Sequence, residues 1–240
     1  MLAMRKLVAG LLASLMVVSG MCGLQMALAP TVAAGPIVSS VAADSFAGKQ
    51  IKKNWPWYVT RATGMIAAVL LLLLILSGVG LLTGYTYKLL EPLPAWAAHR
   101  ALGLAFGVST LLHVFCLLFD KYIGFTVFDL LVPFRSAYKP VTIGGVHLGS
   151  LYVALGIFAL YAIIAVIITS LLWINNKPKP WRALHYLSYV ALVFVFIHGL
   201  FLGTDIDLPV VKVFWILGAI AAVVSISIRL YRARTIAKTK

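Results

Sequence analysis

Charge is scarce in this chain. Charged residues make up 11% of its 240 residues against 62% hydrophobic ones, and the mean hydropathy is +1.03. Soluble domains carry about 25% charged residues, so a water-soluble globular fold is excluded and a chain embedded in a lipid bilayer is expected. Acids are rarer still: six Asp and Glu face 20 Lys and Arg, for a net charge of +14. In a soluble protein that surplus would suit nucleic acid. Here the basic residues stand in short loops beside apolar runs, where they orient a membrane protein, and no nucleic-acid partner is expected. The two cysteines, Cys22 and Cys116, lie apart in apolar stretches and read as small buried hydrophobes. There is no CxxC or CxxCH, which excludes a dithiol motif and covalent haem attachment. A glycine-rich dinucleotide fingerprint is also missing.

What the chain has in quantity is long apolar runs. Residues 1–34 carry Arg5 and Lys6, an apolar run from Leu7 to Ala29, and small residues ending Val32-Ala33-Ala34. This is a signal peptide cleaved near Ala34 or a sixth, retained helix. Residues 35–56 read as an extracytoplasmic linker. An uncharged span follows from Ala62 to Thr83, and then a helix with two histidines, Trp96 to Phe115. Gly124 to Phe134 is apolar but too short to cross a bilayer, so it reads as an interfacial helix. A loop from Ser136 to Gly145, a span from Leu148 to Ile174 and a basic turn, Asn175 to Pro180, come next. A second histidine helix, Trp181 to Phe201, and a last span, Val213 to Ile228, complete the set. The fold class expected is an all-α integral membrane protein, a bundle of five core transmembrane helices plus the amino-terminal segment. Residues 57–231 form its core and 232–240 a basic cytoplasmic tail.

Orientation follows from the loops. With the amino terminus starting in the cytoplasm, 12 of the 20 Lys and Arg lie inside and five of the six acids lie outside, as the positive-inside rule requires. The chain is then a multi-pass protein of the plasma membrane with a cytoplasmic carboxy terminus. Both histidine helices run from inside to outside.

Ionisable side chains within a membrane span are costly and mark function. Four of the five histidines sit in the two histidine helices, His99 and His113 on one, His185 and His198 on the other. Gaps of 14 and 13 residues correspond to about 20 Å of helix rise. Parallel helices therefore bring His99 level with His185 and His113 level with His198. Two helices so equipped can clamp two stacked haem b groups, each iron taking one imidazole from either helix. One feature resists: on an ideal helix 14 residues return within about 40° of the starting face, but 13 land about 140° away. The second helix must be locally distorted, or its side chains must reach around.

Haem propionates need cationic partners. Arg100 and Arg182 beside the inner histidines suit that role, and Arg61 suits the outer site; for each, the plainer reading is an interfacial anchor. Trp96 and Trp181 read as belt residues at the membrane surface, with packing against haem as the second reading. His147 lies outside both pairs and reads as interfacial, with a role near the outer haem or an acceptor as the other reading.

At these residues the chain resembles the ferric reductase-like transmembrane domain superfamily. That group includes NADPH oxidases, ferric-chelate reductases and the haem-binding membrane subunit of methionine sulfoxide reductase. The resemblance runs from Arg61 to Ile228. It is carried by RATG at Arg61 to Gly64, HRALG at His99 to Gly103, His113, the stretch Val132 to Pro140, WRALHYLSY at Trp181 to Tyr189, and HGLFLGTD at His198 to Asp205. It implies an inner haem on His99 and His185 and an outer haem on His113 and His198. Ferric reductases and oxidases append a flavin- and NADPH-binding domain after the last helix, and this sequence stops within a dozen residues of Ile228. The expectation is a stand-alone member that borrows electrons from a separate flavin reductase or from quinol, with flavin only through that partner.

The leading functional expectation is a dihaem b-type transmembrane cytochrome. It passes electrons from a cytoplasmic or quinol donor to an extracytoplasmic acceptor, such as ferric iron, oxygen or a partner redox protein. No catalytic residue is assigned, and whether the chain is itself an enzyme depends on that acceptor. The alternative is a membrane transporter or assembly factor whose histidines bind a metal ion or transient haem. A cytochrome b of the ascorbate-reducible type places its histidines on four helices, and the two-helix pattern counts against it.

Overall fold

The structure, a computed structural model, describes residues 40–143 and 146–238, with side chains at 54–142 and 149–232. The signal peptide or sixth helix at 1–34, and Cys22 with it, lie outside the described residues. Five helices are long and apolar enough to cross a membrane: Asn54–Thr83, Pro92–Leu117, Leu151–Leu172, Pro178–Leu202 and Pro209–Arg232. The shortest, at 22 residues, rises about 33 Å, enough for a hydrocarbon core of about 30 Å. Their outward faces carry Leu104, Leu111, Leu171, Val193, Phe214 and Val223, all at least half exposed. In water such faces would be intolerable; in lipid they are the solvated surface.

Helix α1 spans Ser40–Thr83 and breaks at Asn54, whose φ/ψ of −111°/15° is non-helical. Pro56 causes the break: it brings no N–H and its ring crowds the carbonyl four residues back. The segment expected as a linker is helical from Ser40 onward, since residues 40–55 contain no proline and a polar composition does not prevent a helix. A 3-10 turn, Thr86–Lys88, leads into α2, Pro92–Leu117, which opens on a proline in its first turn. Helix α3 is short, Val127–Leu131, and starts in a reciprocal cap: Thr126 accepts from the Asp129 amide while the Asp129 carboxylate accepts from Thr126. The stretch expected as a plain loop then forms a hairpin, β1 Val141–Ile143 against β2 Val146–Leu148, with Thr142 opposite His147. This hairpin is the one departure from an all-helical chain among the described residues.

Helix α4, Leu151–Leu172, is capped by the fully buried Ser150. The fourth span is two helices, α5 Pro178–His185 and α6 Leu187–Leu202, joined at Tyr186. Helix α7, Pro209–Lys238, follows a 3-10 turn at Thr204–Asp207. The segment expected as a tail continues this helix, since residues 229–238 contain neither glycine nor proline. The bundle packs α1 against α2 and α4 against α6, with α7 laid on α1. The buried centre holds Ala67, Leu71 and Ile75 of α1, Phe106 of α2, Ala159 and Ile163 of α4, Ala191 of α6 and Ala222 of α7. Small residues at these contacts let the backbones approach closely, which is how helices pack in lipid.

Candidate functional site: two facing histidine pairs

Across the bundle, the two histidines of α2 face His185 at the end of α5 and His198 on α6. The rings of His99 and His185 lie 6.4 Å apart, centroid to centroid, with planes at 50°. The rings of His113 and His198 also lie 6.4 Å apart, with planes at 87°. The break at Tyr186 supplies part of the rotation that the 13-residue spacing requires. There the Tyr186 amide bonds the Ala183 carbonyl at 3.3 Å and the Tyr189 amide bonds the Tyr186 carbonyl at 3.0 Å. Such i→i−3 bonds wind the chain by about 120° per residue instead of about 100°, so each residue in the tightened turn adds about 20° toward the common face.

Each ring is held by the helix behind it, and in each case through Nδ1. His113 Nδ1 donates to the Thr60 carbonyl at 2.9 Å, and His198 Nδ1 to the Tyr152 carbonyl at 2.8 Å. Those carbonyls already serve their own helices and offer the second lone pair. They are reachable because the residue four further on is glycine, Gly64 in one case and Gly156 in the other. A Cβ at Gly64 would stand 2.9 Å from His113 Nδ1, and one at Gly156 would stand 2.6 Å from His198 Nδ1. At the other end His99 Nδ1 bonds Ser77 Oγ at 2.8 Å. His185 Nδ1 lies 3.4 Å from Ser170 Oγ, which also accepts the indole N–H of Trp181 at 3.1 Å. Trp181 is thus more than a belt residue: its ring lies 5.3 Å from that of His185. With Nδ1 protonated and anchored on a carbonyl, the lone pairs of the His113 and His198 imidazoles are on Nε2.

The arrangement can take a metal atom between the rings of each pair. An imidazole nitrogen sits about 2 Å from a first-row metal and the ring centre about 1.1 Å behind it, so two imidazoles on opposite sides of one metal have centres about 6.2 Å apart. The observed 6.4 Å fits. Among the described residues no three His, Cys, Asp or Glu side chains gather to enclose an ion.

A cavity of about 240 Å³ opens at the His113 and His198 end. Phe106, Leu130 and Ile157 are among its apolar walls, and its polar rim holds Arg61, Asp120, Tyr138 and Asp205. Arg61 is paired with the Asp205 carboxylate and lies 4.0 Å over the Trp57 ring. Burial pushes the Tyr138 phenol above its ordinary value, helped by the nearby Tyr122 and Asp120, so it stays neutral. Asp120 and Thr60 each present a buried oxygen with no hydrogen-bond partner, Oδ2 and Oγ1. Of the arginines singled out in the sequence, Arg61 lies at this cavity, while Arg100 and Arg182 are exposed at the opposite end. Near His185 the structure adds Arg229, bonded to the hydroxyls of Tyr186 and Tyr189 and within electrostatic reach of the imidazole. The backbone of His147 pairs with Thr142 in the hairpin; its side chain lies outside the described set.

Sequence reasoning found the four histidines and missed their anchors. Gly64, Gly156, Ser77 and Ser170 carry no chemistry alone. Gly64 and Gly156 each follow by four residues the carbonyl that receives a histidine, a relation that shows only once the helices are packed.

Fold and site together define a multi-pass helical membrane protein that holds four imidazoles in two facing pairs. The chain belongs to the ferric reductase like transmembrane component family, whose model matches residues 63–196, a match that takes in three of the four paired histidines and stops just before His198. Membership in that family suggests a transmembrane redox role. Nothing among curated proteins or solved structures matches the chain.

Proposed function

We propose that the protein is a dihaem b-type cytochrome that conducts electrons across the membrane. The single observation behind this reading is that two histidine pairs share one ring spacing, 6.4 Å, with the nitrogens opposite the anchors left for ligation. His99 with His185 would hold one haem and His113 with His198 the other. A haem ligated on both faces supplies one-electron transfer with no open position for substrate. The residues supply the rest. The anchored Nδ1–H groups fix ring orientation and raise ligand basicity. The apolar walls keep water from the irons, and Arg61 at one end, with Arg100, Arg182 and Arg229 at the other, offers cations to propionates.

A pair of imidazoles would complete the coordination of a metal already held in a macrocycle but is too few for a bare ion, which wants four or more donors. That favours a cytochrome over a metal transporter. The donor would be a separate flavin reductase or quinol on the cytoplasmic side, and the acceptor ferric iron or a partner redox protein outside.

The test is haem content. Purified protein should carry about two b-type haems per chain by pyridine haemochrome assay. His99→Ala and His185→Ala should each lose the same haem, and His113→Ala and His198→Ala the other. No haem after expression with ample haem supply would sink the proposal.

A further inference from the structure

The four imidazole anchors are of two kinds. At the His113 and His198 end both acceptors are main-chain carbonyls, of Thr60 and Tyr152. At the other end both are serine hydroxyls, Ser77 and Ser170. We infer that Ser77 is a positioning residue that sets the redox potential of the His99/His185 centre independently of the His113/His198 centre. The inference rests on the dihaem reading above and goes beyond it by assigning control of one centre to one side chain.

With Nε2 of His99 as the ligand in the dihaem reading, its proton is on Nδ1, and the donor and acceptor roles around Ser77 follow. Its hydroxyl donates to the Leu74 carbonyl at 3.0 Å, so its lone pairs remain for an incoming donor. His99 Nδ1 at 2.8 Å is therefore the donor, and the ring carries its proton on Nδ1. A hydroxyl whose own proton is engaged is a better acceptor, because chained hydrogen bonds polarise one another. Pull on the Nδ1–H moves electron density toward Nε2, makes it a stronger ligand and favours oxidised iron. The ring cannot easily turn away, since Gly78 stands beside it so closely that a Cβ there would lie 3.3 Å from His99 Cε1.

Ser170 makes a weaker claim on its own histidine. Its oxygen is shared between Trp181 Nε1–H at 3.1 Å and His185 Nδ1 at 3.4 Å, and a hydrogen bond of that length is poor. The carbonyl anchors at the other end belong to the backbone, so side-chain substitution leaves them in place. Ser77 is thus where a side-chain substitution most directly removes a histidine anchor.

The experiment uses full-length protein purified with its haems, as wild type, Ser77→Ala and Ser77→Thr. Haem content is measured first, then both midpoint potentials by spectroelectrochemical titration and the low-spin signals by electron paramagnetic resonance. Ser77→Ala should keep two haems and raise one potential, that of the centre lost in His185→Ala. The preference for oxidised over reduced iron should fall by up to about tenfold, or about 59 mV for one electron. The g values of that centre should change with it, the other centre should stay put, and Ser77→Thr should restore both readings. Two haems with neither potential moved, both potentials moved alike, or no rescue by threonine would overturn the inference. Should the alanine variant shed that haem, Ser77→Cys takes its place. A thiol is a weaker acceptor, so its centre must titrate above wild type, and an unchanged potential would count against Ser77. Wild-type protein without haem would overturn the dihaem reading itself, and the inference with it.

Discussion

At the scale of single residues, the site depends on atoms that are missing as much as on those present. His113 and His198 reach main-chain carbonyls only because Gly64 and Gly156 have no side chain. Adding one methyl group at Gly156 would place it 2.6 Å from His198 Nδ1, inside any permissible contact, whereas at Gly103 the nearest neighbour, a Leu74 methyl, is 3.9 Å away. Gly156→Ala should therefore displace the ring and reduce haem content from about two to about one per chain. Gly103→Ala should keep both haems and, by removing glycine from a helix interior, gain stability of roughly 0.5–1 kcal/mol. Haemochrome assays with thermal melts in detergent check the pair. Equal haem loss in both variants would mean that glycine matters here for helix packing at large and not as a seat for the ring.

At the scale of elements, the break at Tyr186 and the cap of α3 show how local bonding tunes what the long apolar runs leave open. The fourth span has to turn His185 and His198 to one side, and its tightened turn supplies part of that rotation. Helix α3 has five residues, far too few to hold itself together, and depends on the exchange between Thr126 and Asp129. The Thr126 hydroxyl and amide, with a lesser pull from Arg135, hold the Asp129 carboxyl below its ordinary value of 3.8. A carboxyl depressed by folding stabilises above its unfolded value, and that contribution is lost as pH falls through the folded value. Amide exchange across residues 126–132 should thus be protected and pH-independent in relative terms above about pH 4, and should lose protection below it. In Asp129→Ala the loss should already be present at neutral pH. Protection in the variant equal to wild type would show that packing under α4, and not the cap, holds this helix. The Arg135 pair with Asp129, at 3.7 Å and with an exposed guanidinium, is expected to add little.

At the scale of the whole molecule, charge decides which way the bundle sits. Arg229, Arg232, Arg234 and Lys238 stand in the last turns of α7, Lys240 follows in the sequence, and Lys177, Lys179 and Arg182 lie in the turn before and the first part of α5. Translocating such segments is disfavoured, so a phosphatase fused after Lys240 should be inactive and a fluorescent protein there should fold and fluoresce. An active phosphatase would invert the orientation, and the direction of electron flow in the proposed function with it.

The five core spans, the helical class and the placing of four histidines on two of those spans were legible in the sequence, because long apolar runs read as membrane helices and ionisable side chains within them stand out. Composition and period carry those facts directly. Other features were set by neighbours distant in the chain: the seating of His113 on Thr60, of His198 on Tyr152 and of His99 on Ser77, the pairing of Arg61 with Asp205 and the approach of Arg229 to the tyrosines beside His185. A backbone carbonyl has no residue signature, and whether a particular one is exposed depends on which helix packs beside it. The hairpin at 141–148, the helical stretch from Ser40 and the continuation of α7 to Lys238 escaped the sequence for a related reason. Polar composition says where a chain leaves the hydrocarbon but not what shape it takes there, and that shape comes from backbone bonding, along the helix at the two ends and between strands in the hairpin.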